Sequence, residues 1–100
     1  MKFIRINPAD TVVVCLQPMR KGEEIVIDNQ SFTLLEDTPA GHKVLIKDTK
    51  AGENVVKYGY PIGHALTDLK AGTWINEHNL KTNLSGLSIT SITLSMSLLA

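Results

Sequence analysis

With 100 residues the chain has room for one domain and one small core, burying about two thirds of the surface that the unfolded chain exposes. Ten basic residues balance ten acidic ones, so the chain lacks the polybasic field that gathers nucleic acid or an anionic membrane, and neither is expected as a partner. A single cysteine, Cys15, excludes an internal disulfide framework.

At the N-terminus, Met1-Lys2-Phe3-Ile4-Arg5 runs into polar Asn7, Pro8 and Asp10 where a secretory signal needs an apolar stretch, so a cytoplasmic location is the expectation. Residues 3–6 alternate apolar and basic side chains and predict a short strand. Residues 12–16 are β-branched and continuously apolar, which predicts a second strand with Cys15 as a small buried hydrophobe. Residues 25–27 and 32–35 flank Asp28-Asn29-Gln30 and predict a hairpin in which Asn29 takes the left-handed conformation. Residues 44–46 and 55–56 make two further strands, divided by Lys50-Ala51-Gly52. No window of eleven or more residues carries a helical apolar stripe, although residues 61–69 leave room for a single helical turn. The predicted class is mainly β, with short strands, turns and little helix.

A short repeat supports that organisation. Asp48-Thr49-Lys50-Ala51-Gly52-Glu53-Asn54-Val55 recurs as Asp68-Leu69-Lys70-Ala71-Gly72-Thr73-Trp74-Ile75, with Arg20-Lys21-Gly22-Glu23-Glu24-Ile25 as a looser echo. In each, glycine precedes an apolar residue by two or three positions, as it would where it supplies a positive φ and a strand begins at once. Three such units are too short for a solenoid.

Residues 57–83 concentrate two of the three histidines, both tyrosines and the single tryptophan, which marks a binding or catalytic face. Gly41-His42-Lys43, Lys50-Ala51-Gly52, Lys57-Tyr58-Gly59-Tyr60-Pro61-Ile62-Gly63 and the later His78-Asn79, Lys81-Thr82-Asn83-Leu84 together resemble the N-terminal domain of the altronate and galactarate dehydratases. That domain is similar to the SAF (β-clip type) modules. The resemblance covers residues 1–86 and leaves 87–100 as an atypical uncharged tail.

The resemblance implies a sugar-acid hydro-lyase. A proton α to a carboxylate is removed, a β-hydroxyl leaves as water, and an enediolate-like intermediate needs positive charge nearby. It further implies Fe2+ or Mn2+ in the complete enzyme, with no metal assigned to this domain, and a large catalytic domain or subunit as partner. The chain is accordingly expected to be inactive alone and to serve as an accessory domain or small subunit contributing to binding of a sugar-acid substrate. The alternative is a non-catalytic dimerisation or assembly module that positions a separate catalytic domain.

Within this frame the catalytic candidates are His42, at the entrance to a strand, and His78. The substrate-binding candidates are Lys43, Lys57 and Asn79, which offer charge for a carboxylate or an amide for hydroxyls. Asn76 stands where the family often carries a second histidine, which weighs against a paired-histidine metal site. Tyr58 and Tyr60 share a face if their strand runs on, with core packing as the competing role. Trp74 is expected in the core and His64 as a structural or surface residue. In the tail, residues 87–96 alternate with period two and, lacking charge, suggest a strand that pairs with another copy as a homodimer, or an altered terminus. Serine and threonine fill nearly half of residues 86–100, which are also shorter than the ~20 apolar residues a spanning helix needs.

Overall fold

The structure, a computed structural model, describes residues 2–82. Nine strands are present among them: β1 (Phe3–Ile4), β2 (Val12–Cys15), β3 (Glu24–Ile27), β4 (Gln30–Thr33), β5 (Lys43–Leu45), β6 (Asn54–Lys57), β7 (Tyr60–Ala65), β8 (Trp74–Ile75) and β9 (Leu80–Thr82). They form an antiparallel sheet of order β1-β2-β5-β8, a β3-β4 hairpin and a three-stranded sheet β6-β7-β9. The mainly β expectation holds. The described residues contain no helix, and none therefore that is long and apolar enough to cross a membrane.

The apolar run at residues 12–15 is continuous because β2 is covered on both faces. Val12 pairs with Leu45 and Val13 with Val44, and successive side chains of a strand point to opposite sides. Val13, Cys15 and Val44 enter one cluster with Met19, Ile25, Leu34 and Ile46, which Phe32 and Ile27 of the hairpin help to close. Val12 and Leu45 enter another with Val55, Ile62 and Ile75, closed by Leu69 and Leu80. Cys15 is fully buried, as expected, and desolvation pushes its thiol upward, the Glu23 carboxylate adding to the shift.

Four copies of one turn organise the strands. Glu23, His42, Glu53 and Thr73 each donate their amide to the carbonyl three residues back, at 2.9–3.2 Å, with a glycine at the third position of the turn. Those glycines have φ of 91° (Gly22), 82° (Gly41), 87° (Gly52) and 100° (Gly72), the signature of type II turns. The copies occupy residues 18–25, 37–44, 48–55 and 68–75. The second, Asp37-Thr38-Pro39-Ala40-Gly41-His42-Lys43-Val44, is absent from the repeat read in the sequence because proline replaces its lysine.

The units pair through their aspartates. Ala51 N donates to Asp68 Oδ1 at 2.9 Å, and Ala71 N returns the bond to Asp48 Oδ1 at 2.8 Å. Lys21 N donates to Asp37 Oδ1 at 2.8 Å. Pro18 stands at the aspartate position of the first unit, so that pair is clamped from one side. Antiparallel bridges Met19–Thr38 and Thr49–Leu69 join the residues that follow.

Local turn chemistry also sets the two hairpins. Asp28 and Asn29 have φ of 52° and 63°, a two-residue turn closing Ile27 onto Gln30, and this includes the left-handed Asn29 foreseen from the sequence. Strand β4 starts at Gln30 and ends at Thr33, earlier at both ends than the predicted 32–35, because a two-residue turn lets pairing begin at once. Tyr58 and Gly59, with φ of 56° and 75°, make the matching turn between β6 and β7. The helical turn allowed over residues 61–69 is therefore replaced largely by β7. Pro61, which has no amide to donate, is accommodated at a bulge: Val56 pairs with Pro61 and Val55 with Gly63, leaving Ile62 as the extra residue, turned into the core. Tyr58 consequently lies in the turn itself and Tyr60 opens β7, so the two do not share a strand face. The predicted strand in 87–100 lies outside the described residues.

Beneath this second hairpin lies a buried polar knot. Lys57 follows the same parity as Val55 and so points inward, with 2% of its surface exposed. Asp10, also buried, accepts Gly59 N at 2.8 Å through one oxygen and Asn7 N at 3.1 Å through the other. Burial pushes the Lys57 ammonium down to about 8, repulsion from Lys43 adds to that, and Asp10 opposes it. The Lys57 Nζ sits 5.2 Å from the centre of the Tyr58 ring.

Two predictions follow from close approach and from burial. A Cβ on Gly72 would lie 2.1 Å from the Thr33 carbonyl oxygen, whereas one on Gly22 would meet nothing within 4 Å. Gly22→Ala should therefore cost about 1–2 kcal/mol for its left-handed φ, and Gly72→Ala about 2 kcal/mol or more beyond that. Urea unfolding compares them, and equal losses would contradict the close packing of unit four on β4. Lys57 is depressed in the folded state, so between about pH 8 and 10.5 the unfolded chain holds the proton and the folded chain has released it. Stability must rise with pH across that window, in total on the order of 2–3 kcal/mol relative to Lys57→Met. A pH series of unfolding midpoints in which wild type and K57M run parallel would count against the buried ammonium.

Candidate functional site

Two of the four turns place the site. The Gly41 turn feeds His42 directly into β5 (Lys43–Leu45), and the Gly72 turn feeds Thr73 into β8 (Trp74–Ile75). These strands pair antiparallel, with Lys43 opposite Ile75 and Val44 opposite Trp74, which leaves His42, one residue before Lys43, diagonally across from Trp74. Trp74 Nε1 donates to His42 Nδ1 at 3.1 Å, and the two rings lie 5.6 Å apart between centres at a 59° tilt.

A second wall comes from the loop after β8. Asn79 Oδ1 accepts Asn76 N at 2.9 Å, and its Nδ2 donates to the Trp74 carbonyl at 2.8 Å. Asn76 Nδ2 donates to the same carbonyl at 3.2 Å, and Asn76 Oδ1 accepts His78 N at 2.8 Å. Short amide side chains that bond the backbone nearby are how such tight loops are stabilised. The result carries Glu77 and His78 round to face His42.

Between the walls is a cavity of about 390 Å³, within the roughly 300–1,000 Å³ typical of small-molecule sites. His42, Lys43, Glu77 and His78 give it polar groups, while Trp74, Ile75 and Leu80 contribute apolar surface. Burial holds the Lys43 ammonium below its ordinary value, because the charged form is poorly solvated. A ligand anion beside Lys43 would meet a charge that water screens only in part.

Of the residues singled out from the sequence, the structure thus brings together His42, His78 and Lys43. Lys57 is buried under the Tyr58–Gly59 turn and does not line the cavity. Asn79 has both ends of its amide engaged with the backbone, which makes it a brace of the loop. His64 sits within β7 opposite Asn54 and Lys81 and does not line the cavity. Trp74, expected in the core, is only half-buried and reaches His42. Its role was legible only through the unit at 37–44: aligning that copy with 68–75 sets His42 and Trp74 one position apart in equivalent strands.

Among the described residues, no three His, Cys, Asp or Glu side chains converge as a metal site would require.

Comparison with known proteins agrees with this architecture. Residues 1–83 match the family described as the altronate/galactarate dehydratase SAF domain. Altronate dehydratase of Escherichia coli is 46% identical over 87 residues, and that of Bacillus subtilis 40% over 91 residues; these cover 87% and 91% of this chain. The chain spans only 18% of the length of either relative. The alpha subunit of (2R)-sulfolactate sulfo-lyase from Paracoccus pantotrophus is 42% identical over 60 residues, covering 58% of this chain and 90% of that subunit. By this match over most of its length, the chain belongs to the altronate/galactarate dehydratase SAF domain family.

Proposed function

We propose that the chain is an accessory domain or small subunit of a hydro-lyase acting on a sugar acid, and that it takes part in holding the substrate. The observation that carries this reading is the convergence of His42, Lys43 and His78 on one cavity, in a domain of the dehydratase family. Dehydration of a hydroxy acid breaks a C–H bond next to the carboxylate and a C–O bond one carbon further on, and the lost groups leave as water. Lys43 offers positive charge for the carboxylate, and two imidazoles offer nitrogen atoms to the hydroxyls. The base, and any Fe2+ or Mn2+ that stabilises the intermediate, belong in this reading to a larger catalytic body. Two comparisons support such a partner: the chain spans 18% of each altronate dehydratase, and a subunit of comparable size occurs as a chain of its own in the sulfo-lyase.

A second reading is favoured by the β6–β7 turn. Tyr60 is 72% exposed and Tyr58 37%, on a turn fixed from beneath by Asp10. Exposed aromatics on a rigid tip suit an assembly module that positions the catalytic body without touching substrate.

Turnover of altronate separates the two. The chain alone should give none. Combined with the larger catalytic portion of a dehydratase, His42→Ala and His78→Ala should each lower kcat/KM about tenfold or more, while leaving the complex assembled by sedimentation. Near-normal kinetics in both variants would leave only the assembly role. In the isolated chain, altronate should shift the backbone amide resonances of His42, Lys43 and His78 in NMR titration.

A further inference from the structure

We infer that Trp74 is a positioning residue that holds His42 as a neutral imidazole with its proton on Nε2, so that His42 meets a ligand as a hydrogen-bond donor and not as a base. An indole nitrogen can only donate, so the 3.1 Å contact from Trp74 Nε1 requires an unprotonated Nδ1 on His42. In a neutral imidazole the remaining proton then sits on Nε2. Nε2–H is the ring nitrogen left for a ligand in the cavity that His42 lines, and it seeks an acceptor: a carboxylate or hydroxyl oxygen. For His42 to act as a base through Nε2, the proton would have to move to Nδ1, where it would point at the Trp74 N–H. For His42 to become a cation, the same bond would have to break.

The arrangement is built from beyond the two rings. The Trp74 carbonyl accepts from both Asn76 Nδ2 and Asn79 Nδ2, which fixes the backbone from which the indole projects. Val44, directly after the His42-Lys43 pair, is opposite Trp74 in the sheet. Neutral histidines held in one tautomer serve elsewhere as electrophilic donors to a substrate oxygen. On this basis the specificity of the cavity is for an oxygen anion or hydroxyl of a hydroxy acid, recognised by Lys43 through charge and by His42 through a fixed donor. Proton abstraction falls to groups of the larger body. The identity of the ligand rests on the reading proposed above, but the tautomer does not.

The ring nitrogens of His42 can be read directly by long-range ¹H–¹⁵N NMR of the ¹⁵N-labelled chain, at a pH where the imidazoles are neutral. Wild type should show the Nε2–H tautomer alone, and Trp74→Phe, which keeps an aromatic ring but loses the donor, should show both tautomers. Altronate, used as the probe, should bind W74F roughly fivefold more weakly, as loss of one orienting hydrogen bond implies. Nδ1–H or a tautomer mixture in wild type overturns the inference, and this readout does not depend on the variant folding. A folded W74F with the wild-type tautomer pattern overturns it as well. Wild-type Nε2–H with no response of His42 to altronate would leave the tautomer assignment standing and remove the substrate reading.

Discussion

A carboxylate of one turn accepting a backbone amide of another is the interaction on which the rest of this small domain depends. Such charge-assisted bonds are roughly twice as strong as neutral ones, and here they are spent on turn amides that no strand could satisfy. Because each turn has a glycine with positive φ at its third position and a strand starts two residues after that glycine, locking turn to turn also sets where the strands start. Strands β2 and β5 then lie between two apolar clusters, and the remaining strands close them from either side. With so few strands longer than four residues, side-chain burial alone would leave their register weakly specified.

The site is a by-product of the same device. Two turn units deliver their strands side by side, and the positions just after the glycines carry His42 and Lys43 in one and Trp74 in the other. In the remaining two units the equivalent positions hold Glu23 and Glu24, or Glu53 and Asn54, and there the same geometry carries out a different task. Glu23 and Glu53 each accept the amide three residues back, from Arg20 and Lys50, within their own turn. In the Gly72 unit Thr73 Oγ1 instead donates to the Lys70 carbonyl of its own turn at 2.6 Å, whereas in the Gly41 unit the residue after the glycine, His42, turns its ring to Trp74. Among the described residues, the most deeply buried charges are at the neck of the β6–β7 hairpin, where Asp10 and the inward-facing Lys57 sit beneath Tyr58. Burying an ammonium is costly, and a turn whose first residue is a tyrosine in the left-handed conformation needs such support from below.

What could be read beforehand was the local chemistry. Residues 12–16 read as a buried strand, Asp28-Asn29 as a hairpin turn and the Lys-Ala-Gly copies as turns feeding strands, since each depends on neighbours within about five positions. Strand β7 was hidden because Pro61 and Gly63 are poor strand formers, and it exists because a bulge absorbs the proline and Asp10 holds the turn before it. Asn79 read as a ligand-binding amide, although the Asn76 amide and the Trp74 carbonyl that claim both its ends lie only three and five residues back, within the range of local loop chemistry. Lys57 read as an accessible charge because one-residue parity, set by Val55, decides its direction.

By itself, then, the sequence determined the turns, the apolar strands between them, the family resemblance and the set of residues from which a site could be drawn. Tertiary structure decided which of these meet: His42, Lys43 and His78 across one cavity, with Trp74 turned from core residue into the donor that orients His42. The physical reason is one of range. A turn or an alternating strand is specified by contacts a few residues apart. Convergence of side chains more than thirty positions apart depends on strand register, and register here is set by hydrogen bonds between turns that no local pattern encodes.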